Sequence, residues 1–161
     1  MTGSHRMAVS ARVKASPSEV FRIVTDPSRH VEIDGSGMLE AAPGARRVVA
    51  VGDTFEMAMD REPLGDIPMG KYTVLNTVTR IVPDALVEWN IGTLERGAFG
   101  HVWGWEITRT DDEETEVTNY CDWSGISEDA RDRFPVIPKA MVEKSVTNLV
   151  GIVAREAPTP G

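Results

Sequence analysis

The chain has 161 residues, 41% hydrophobic and 26% charged, an ordinary globular balance with enough apolar mass for one core. With 17 Lys+Arg against 25 Asp+Glu, the formal net charge is −8, which disfavours partners that need a basic surface, such as nucleic acid or an anionic membrane. No apolar run approaches the ~20 residues of a membrane-spanning helix, so no stable membrane insertion is expected.

In chain order, His5 to Lys14 alternates, with Met7, Val9, Ala11 and Val13 on one face, and predicts a first strand. Ser16 is placed to cap a helix. Pro17 suits the first helical position, and Glu19 at the third completes a capping box. That helix runs through Val20, Phe21, Ile23 and Val24. Asp26-Pro27 opens a second short helix reaching His30 and Glu32, and Asp34-Gly35-Ser36-Gly37 is a tight turn. Strands are predicted over 46–51 and 54–60, the second with Phe55, Met57 and Met59 on one face. Residues 61–70 hold Pro63, Pro68, Gly65 and Gly70 and also Leu64, Ile67 and Met69, the composition of an apolar loop able to fold over a site as a lid.

A long strand over 71–82 shows Tyr72, Val74, Asn76 and Val78 on one face. Pro83-Asp84 turns the chain, and 85–91 pairs back with Val87, Trp89 and Ile91 inward. A second glycine-bearing loop is predicted over 92–100. Strand 101–109 aligns His101, Trp103, Trp105 and Ile107, an acidic tip covers 110–114, and strand 115–123 aligns Val117, Asn119, Cys121 and Trp123. The last stretch, Pro138 to Ala157, is the one long helical pattern. Val142, Val146, Leu149, Val150 and Val153 share a face flanked by Met141, Ser145 and Ile152, and Pro158 and Pro160 stop the helix. So broad an apolar face needs a large partner surface, and the strands before it supply one.

The words ASPSEVFRIVTDPSRH (15–30), EIDGSGM (32–38), VGDTFEMAM (51–59), YTVLNTV (72–78), ALVEWNIG (85–92), HVWGWEI (101–107) and TEVTNYCDWS (115–124), in this order, resemble the START/Bet v 1-like (SRPBCC) superfamily. More narrowly the chain is similar to its actinobacterial polyketide cyclase/dehydrase-like branch. The resemblance covers nearly the whole chain. It implies an α+β helix-grip fold in one domain over 1–161: a curved antiparallel sheet of about seven strands wrapped around a long C-terminal helix, with two short helices after the first strand. It also implies a cavity between sheet and helix, open near the loops. Members of the superfamily include lipid carriers, hormone receptors, ring cyclases, dehydratases and ATPase-activating co-chaperones, so the fold alone does not select a chemistry.

The inward set expected to line that cavity is Phe55, Met57, Met59, Tyr72, Val74, Asn76, Trp89, His101, Trp103, Trp105, Asn119, Met141, Val142, Ser145, Val146 and Leu149. Its bland alternative is a packed core. Three tryptophans on two neighbouring strands offer flat apolar area suited to an aromatic ligand. Tyr72, Asn76, His101 and Asn119 are polar on these faces and must bond one another, water or a ligand. In an enzyme, His101 is the acid/base candidate, Tyr72 could donate to a carbonyl and Asn76 could hold an enolate, as a cyclisation or dehydration requires. The competing reading of His101 is a hydrogen-bonded histidine near a strand end. All four placements depend on strand register, because a one-residue slip turns each group outward.

His30, Glu32 and Asp34 raise a metal question, but no second histidine lies at helical spacing. Neither a metal nor a cofactor is expected; Asp26 and Asp34 suit a helix cap and a turn, and His30 or Glu32 could instead reach the cavity mouth. The lone Cys121 cannot form an intrachain disulfide and reads as buried and inert, which makes a reducing, cytoplasmic setting the simplest expectation. Residues 1–7 lack the apolar segment of a secretion signal and read in part as a cloning remnant; residues 1–5 and 158–161 are expected to be flexible. No GxSxG, P-loop, GxGxxG or HExxH pattern is present, so neither nucleophilic hydrolysis nor nucleotide chemistry has a basis. The expectation is a monomer or homodimer that binds or transports a small hydrophobic molecule: a lipid, a polyketide or an aromatic metabolite. The alternatives are a cyclase or dehydratase acting in the same cavity, and a protein-interaction module whose core is filled.

Overall fold

The computed structural model describes residues 5–111 and 113–157. Apart from His5, the ends expected to be flexible lie outside the described residues. The elements run β1 (Arg6–Val13), α1 (Pro17–Val24), α2 (Pro27–Ile33), β2 (Leu39–Ala41), β3 (Thr54–Asp60), a 3-10 turn (Glu62–Leu64), β4 (Lys71–Val82), β5 (Leu86–Thr93), β6 (Gly97–Arg109), β7 (Thr115–Asp122), α3 (Glu128–Arg131) and α4 (Lys139–Glu156).

The strands form one antiparallel sheet of seven strands in the order β1-β7-β6-β5-β4-β3-β2. Four hairpins in succession carry the chain across the sheet from β3 to β7, and β1 then pairs with β7, so the first strand lies at the far edge from the second. The sheet curls into a half-barrel around α4, which packs on β1 and α2. This is the helix-grip arrangement.

Local chemistry accounts for the short helices. Ser16 Oγ accepts from Glu19 N while the Glu19 carboxylate accepts from Ser16 N at 2.9 Å, the reciprocal capping box read from the sequence. Asp26 caps α2 by accepting from Ser28 N, and Pro27 stands in the first turn. The closed end of the half-barrel is a dry core of Val20, Ile23, Val24, Phe55, Val146, Leu149 and Val153. On α4, Ile152 is buried at 5% exposure while Val150 is only partly buried. The buried stripe is thus rotated slightly from the predicted one, on a helix whose main partner is β1.

Two segments differ from expectation. Residues 46–51 are not a strand. Their N–H groups are satisfied singly: Val48 N donates to Thr25 O, while Val49 N and Ala50 N donate to the Asp53 carboxylate. No partner strand remains for them, and Val49 and Val51 are 71% and 64% exposed. Residues 92–100 are not an open loop but the tip of a hairpin, with Gly92 opposite Ala98 and Thr93 opposite Gly97. The glycines permit this. A Cβ on Gly92 would come within 2.1 Å of Gly97 O, and Gly97 itself has φ of +70°. The short β2 and α3 have no periodic signal and were not expected.

Candidate functional site

Between the sheet, α4 and three loops lies a cavity of about 1020 Å³. Its floor is the concave sheet face. Trp89 and Trp103 are cross-strand partners on β5 and β6, and Trp103 in turn faces Cys121 on β7. Val87 pairs with Trp105, which pairs with Asn119. Alternation places all of these on one face. Residues of the 61–70 loop, the 93–99 hairpin tip and the 127–137 segment complete its lining.

Of the residues picked from the sequence, Met57, Met59, Tyr72, Val74, Asn76, Trp89, His101, Trp103, Trp105, Asn119, Val142 and Ser145 line this cavity. Phe55, Val146 and Leu149 do not. They are buried in the closed core outside it, packed with Val20, Ile23, Val24 and Val153. Met141 also lies off the wall, because α4 presents Val142 and Ser145 there instead.

The turn that joins α2 to β2 is fastened to α4. Gly35 N donates to Ser145 Oγ at 2.8 Å, and Asn148 Nδ2 donates to Ile33 O at 3.1 Å. A Cβ on Gly35 would meet Met141 O at 2.4 Å, so only glycine allows the contact. Asp34 holds the turn by accepting from Ser36 N and Leu39 N.

The polar groups of the wall differ in how they are satisfied. Asn119 Nδ2 donates to Gly104 O at 2.9 Å. Tyr72 is half-buried; burial pushes its pKa up, against the opposing effect of the nearby Arg61. Asn76 Oδ1 and His101 Nδ1 are buried without a protein partner. The His101 ring lies between Phe134, at 5.0 Å between centroids, and Phe99, at 6.3 Å and nearly parallel. Burial pushes its pKa down to about 4, so the ring is neutral near pH 7. Cys121 is a wall residue whose thiol burial pushes up to about 12, which leaves it unreactive.

His30 lines the cavity from α2, stacked on Trp89 at 5.0 Å and edge-on to Phe55 at 5.4 Å. Its Nε2 donates to Val24 O at 2.8 Å. Sequence reading reached it only as an alternative to a structural role. Glu32 instead pairs with Arg29 on the surface. The Phe134–Ile137 wall was missed altogether, because nothing in an irregular, charged stretch marks which face it turns inward. Among the described residues, no three His, Cys, Asp or Glu side chains come together as a metal site.

The fold recurs in known structures. Over 93% of this chain and 93% of its own, the Zhui aromatase/cyclase from Streptomyces sp. R1128 superposes with a TM-score of 0.63 at 12% identity. Truncated norcoclaurine synthase from Thalictrum flavum covers 95% of the chain and 97% of its own with a TM-score of 0.61 at 12% identity. At such identities the likeness establishes the helix-grip fold and nothing finer. In sequence, the uncharacterised protein Rv0088 of Mycobacterium tuberculosis is 34% identical over 121 residues, 75% of this chain and 49% of its own. The chain thus spans about half the length of the curated relatives it matches. No family model matches the chain. No described helix is long and apolar enough to cross a membrane.

Proposed function

We propose that the chain binds a small hydrophobic molecule in the cavity between its sheet and α4. The observation that carries this reading is a space of about 1020 Å³ walled by tryptophan and methionine, with a few polar groups set into it. Ligand sites of drug-sized molecules have this size and this mixture. A filled core would have favoured an interaction module; a cavity of this volume supports a small-molecule role instead. Titration with a panel of fatty acids and flat aromatics, followed by tryptophan fluorescence, tests it directly. A saturable shift from Trp89, Trp103 and Trp105 is the expected outcome, and no response across the panel would reject the reading.

A second reading, cyclisation or dehydration in the same cavity, is favoured by one feature. His101 Nδ1 is an unpartnered, neutral imidazole nitrogen on the wall, positioned among aromatic rings. Two structural neighbours are named as a synthase and an aromatase/cyclase, which supports asking the question here. In this reading His101 moves the proton, Tyr72 donates to a carbonyl oxygen and Asn76 holds the enolate. His101→Ala separates the two. Turnover lost with ligand affinity retained supports the enzyme; unchanged turnover removes His101 from any mechanism.

A further inference from the structure

The three segments that complete the lining of the cavity are held to the body of the protein in different ways. The 93–99 tip belongs to the sheet itself, with Thr93 opposite Gly97. The 61–70 loop is closed by Arg61 N donating to Gly70 O at 2.9 Å, and braced by two bonds of 2.9 and 2.7 Å from the Arg61 guanidinium to Asp66. The 127–137 segment has neither support. Among the described residues, its backbone N–H groups donate only within the segment: Ala130 and Arg131 to Ser127 O, Arg133 to Ala130 O and Phe134 to Arg131 O. The Arg131 side chain donates to Ser124 O and Ile126 O, each at 3.0 Å, and so reaches only the turn just before it. Among the described residues, none of Glu128, Asp129, Arg131, Asp132 and Arg133 forms an ion pair with the rest of the chain.

What holds the segment down is apolar. Cys121, Trp123 and Ile126 form a small core apart from the main one, and the segment contributes Ala130 and Phe134 to it. The Phe134 ring lies 5.0 Å from His101 and 6.0 Å from Trp123, stacked on the latter. Both ends of the segment are fixed. Upstream, the backbones at Gly100 and Gly125 approach so closely that a Cβ on Gly100 would lie 2.7 Å from Gly125 O, and one on Gly125 would lie 2.6 Å from Gly100 O. Downstream, Pro138 is the N-cap of α4. A stretch with two fixed ends and one aromatic anchor opens locally at lower cost than a strand, because few buried contacts and no ladder bonds are broken.

Resting on the cavity-binding reading above, we propose that the 127–137 segment is a movable wall of the cavity, hinged at Gly125 and Pro138 and latched by Phe134 against His101 and Trp123. Lifting it uncovers Cys121, which packs in the small core beneath it at 3% exposure, together with the cavity. A bound molecule enters and leaves through the open form. The latch sets the speed of exchange and not the affinity, because the same ring contacts break on the way in and on the way out.

Cys121 is the chain's one cysteine, so its thiol reports opening without any ligand. In the intact protein its reaction with dithionitrobenzoate is expected to proceed by local opening, at a rate far less sensitive to urea than global unfolding. Phe134→Ala should speed the reaction by at least roughly tenfold, while Ile67→Ala, on the 61–70 loop, should leave it unchanged. Urea unfolding confirms that each variant is folded. Should Phe134→Ala fail to fold, Phe134→Leu, which keeps apolar volume without the ring stack, carries the same test with a smaller acceleration. Labelling only at the rate of global unfolding, or equal acceleration by Ile67→Ala, would overturn the proposal. Stopped-flow binding of anilinonaphthalene sulfonate supplies a second arm. Phe134→Ala should raise the association and dissociation rates by the same factor and leave Kd within about twofold. A rise in the dissociation rate alone would make Phe134 an ordinary wall contact and overturn the latch. Absence of probe binding would count against the cavity-binding reading, and the Cys121 rates would still decide whether the wall moves.

Discussion

On the outer face of the sheet, the buried Glu88 carboxylate accepts from Thr79 Oγ1 and from Tyr120 Oη, each at 2.6 Å. On the inner face of the same strands, Asn76 Oδ1 and His101 Nδ1 are equally hidden and have no protein partner. The outer cluster is complete because the sheet makes room for it. Glu88, Gly104 and Tyr120 lie in one row across β5, β6 and β7, and the missing side chain at Gly104 lets the tyrosine reach over it to the carboxylate. A polar group in packed protein has to find its partner within the chain. A group facing a cavity does not, because water or a ligand can serve it. The complete cluster therefore serves the sheet, and the incomplete one belongs to residues that line the cavity.

The packed core gives the scale against which both clusters can be judged. Leu149, fully buried behind the cavity, should cost about 4 kcal/mol as Leu149→Ala. Val142→Ala, on the cavity wall, should cost less than about 2 kcal/mol and change ligand affinity instead. Urea unfolding of both measures the difference, and equal costs would mean that the wall is packed like the core. Gly104→Ala places a Cβ 2.6 Å from the Tyr120 ring, which must then swing away from Glu88. A loss of about 3 kcal/mol is expected from crowding together with the broken charge-assisted bond.

Acid should act on the inner cluster. The folded protein holds His101 near 4, below its ordinary 6.5, and His30 is lowered too. Between those values the unfolded chain takes up protons that the folded one refuses. Stability is therefore full above about pH 6.5 and falls as pH drops toward 4, by at most about 3 kcal/mol for His101. His101→Phe should flatten that slope in unfolding curves recorded at several pH values. Tyr120→Phe, which removes only one of two donors to Glu88, should cost about 2 kcal/mol. The smallest effect belongs to Asn76→Leu. Stripping a group with no protein partner should change stability by less than about 0.5 kcal/mol, while Thr79→Val, on the complete cluster, should cost more. A large loss from Asn76→Leu would break the contrast between the two faces.

Much of this protein was legible before any coordinates. Strict alternation over 71–82 and 101–109 assigned the inward faces correctly, because the side-chain period of a strand is two and one face is buried. The capping box at Ser16 and the Asp26-Pro27 start are local hydrogen-bond chemistry, and both are present in the structure. The strand predicted over 46–51 failed because its apolar residues gave the right pattern and the fold offered no neighbouring strand. At 92–100 the sequence predicts a loop where the structure has a hairpin tip, because glycine marks both an open turn and a close approach of two backbones.

What the sequence determined by itself was the order of elements, the inward faces and the list of groups that could meet in a cavity. Tertiary structure decided which of those groups border open space. Phe55, Val146 and Leu149 have the same pattern as Met57, Val142 and Ser145, yet the first three are sealed in the core and the last three line the wall. Periodicity reports only which face is buried. Whether that face meets protein atoms or a cavity depends on how far the sheet curls from the helix at each level, and on loops such as 127–137 that close the space. The same is true of His30. The tautomer of its ring follows from a single carbonyl six residues earlier, brought into place by the packing of two short helices.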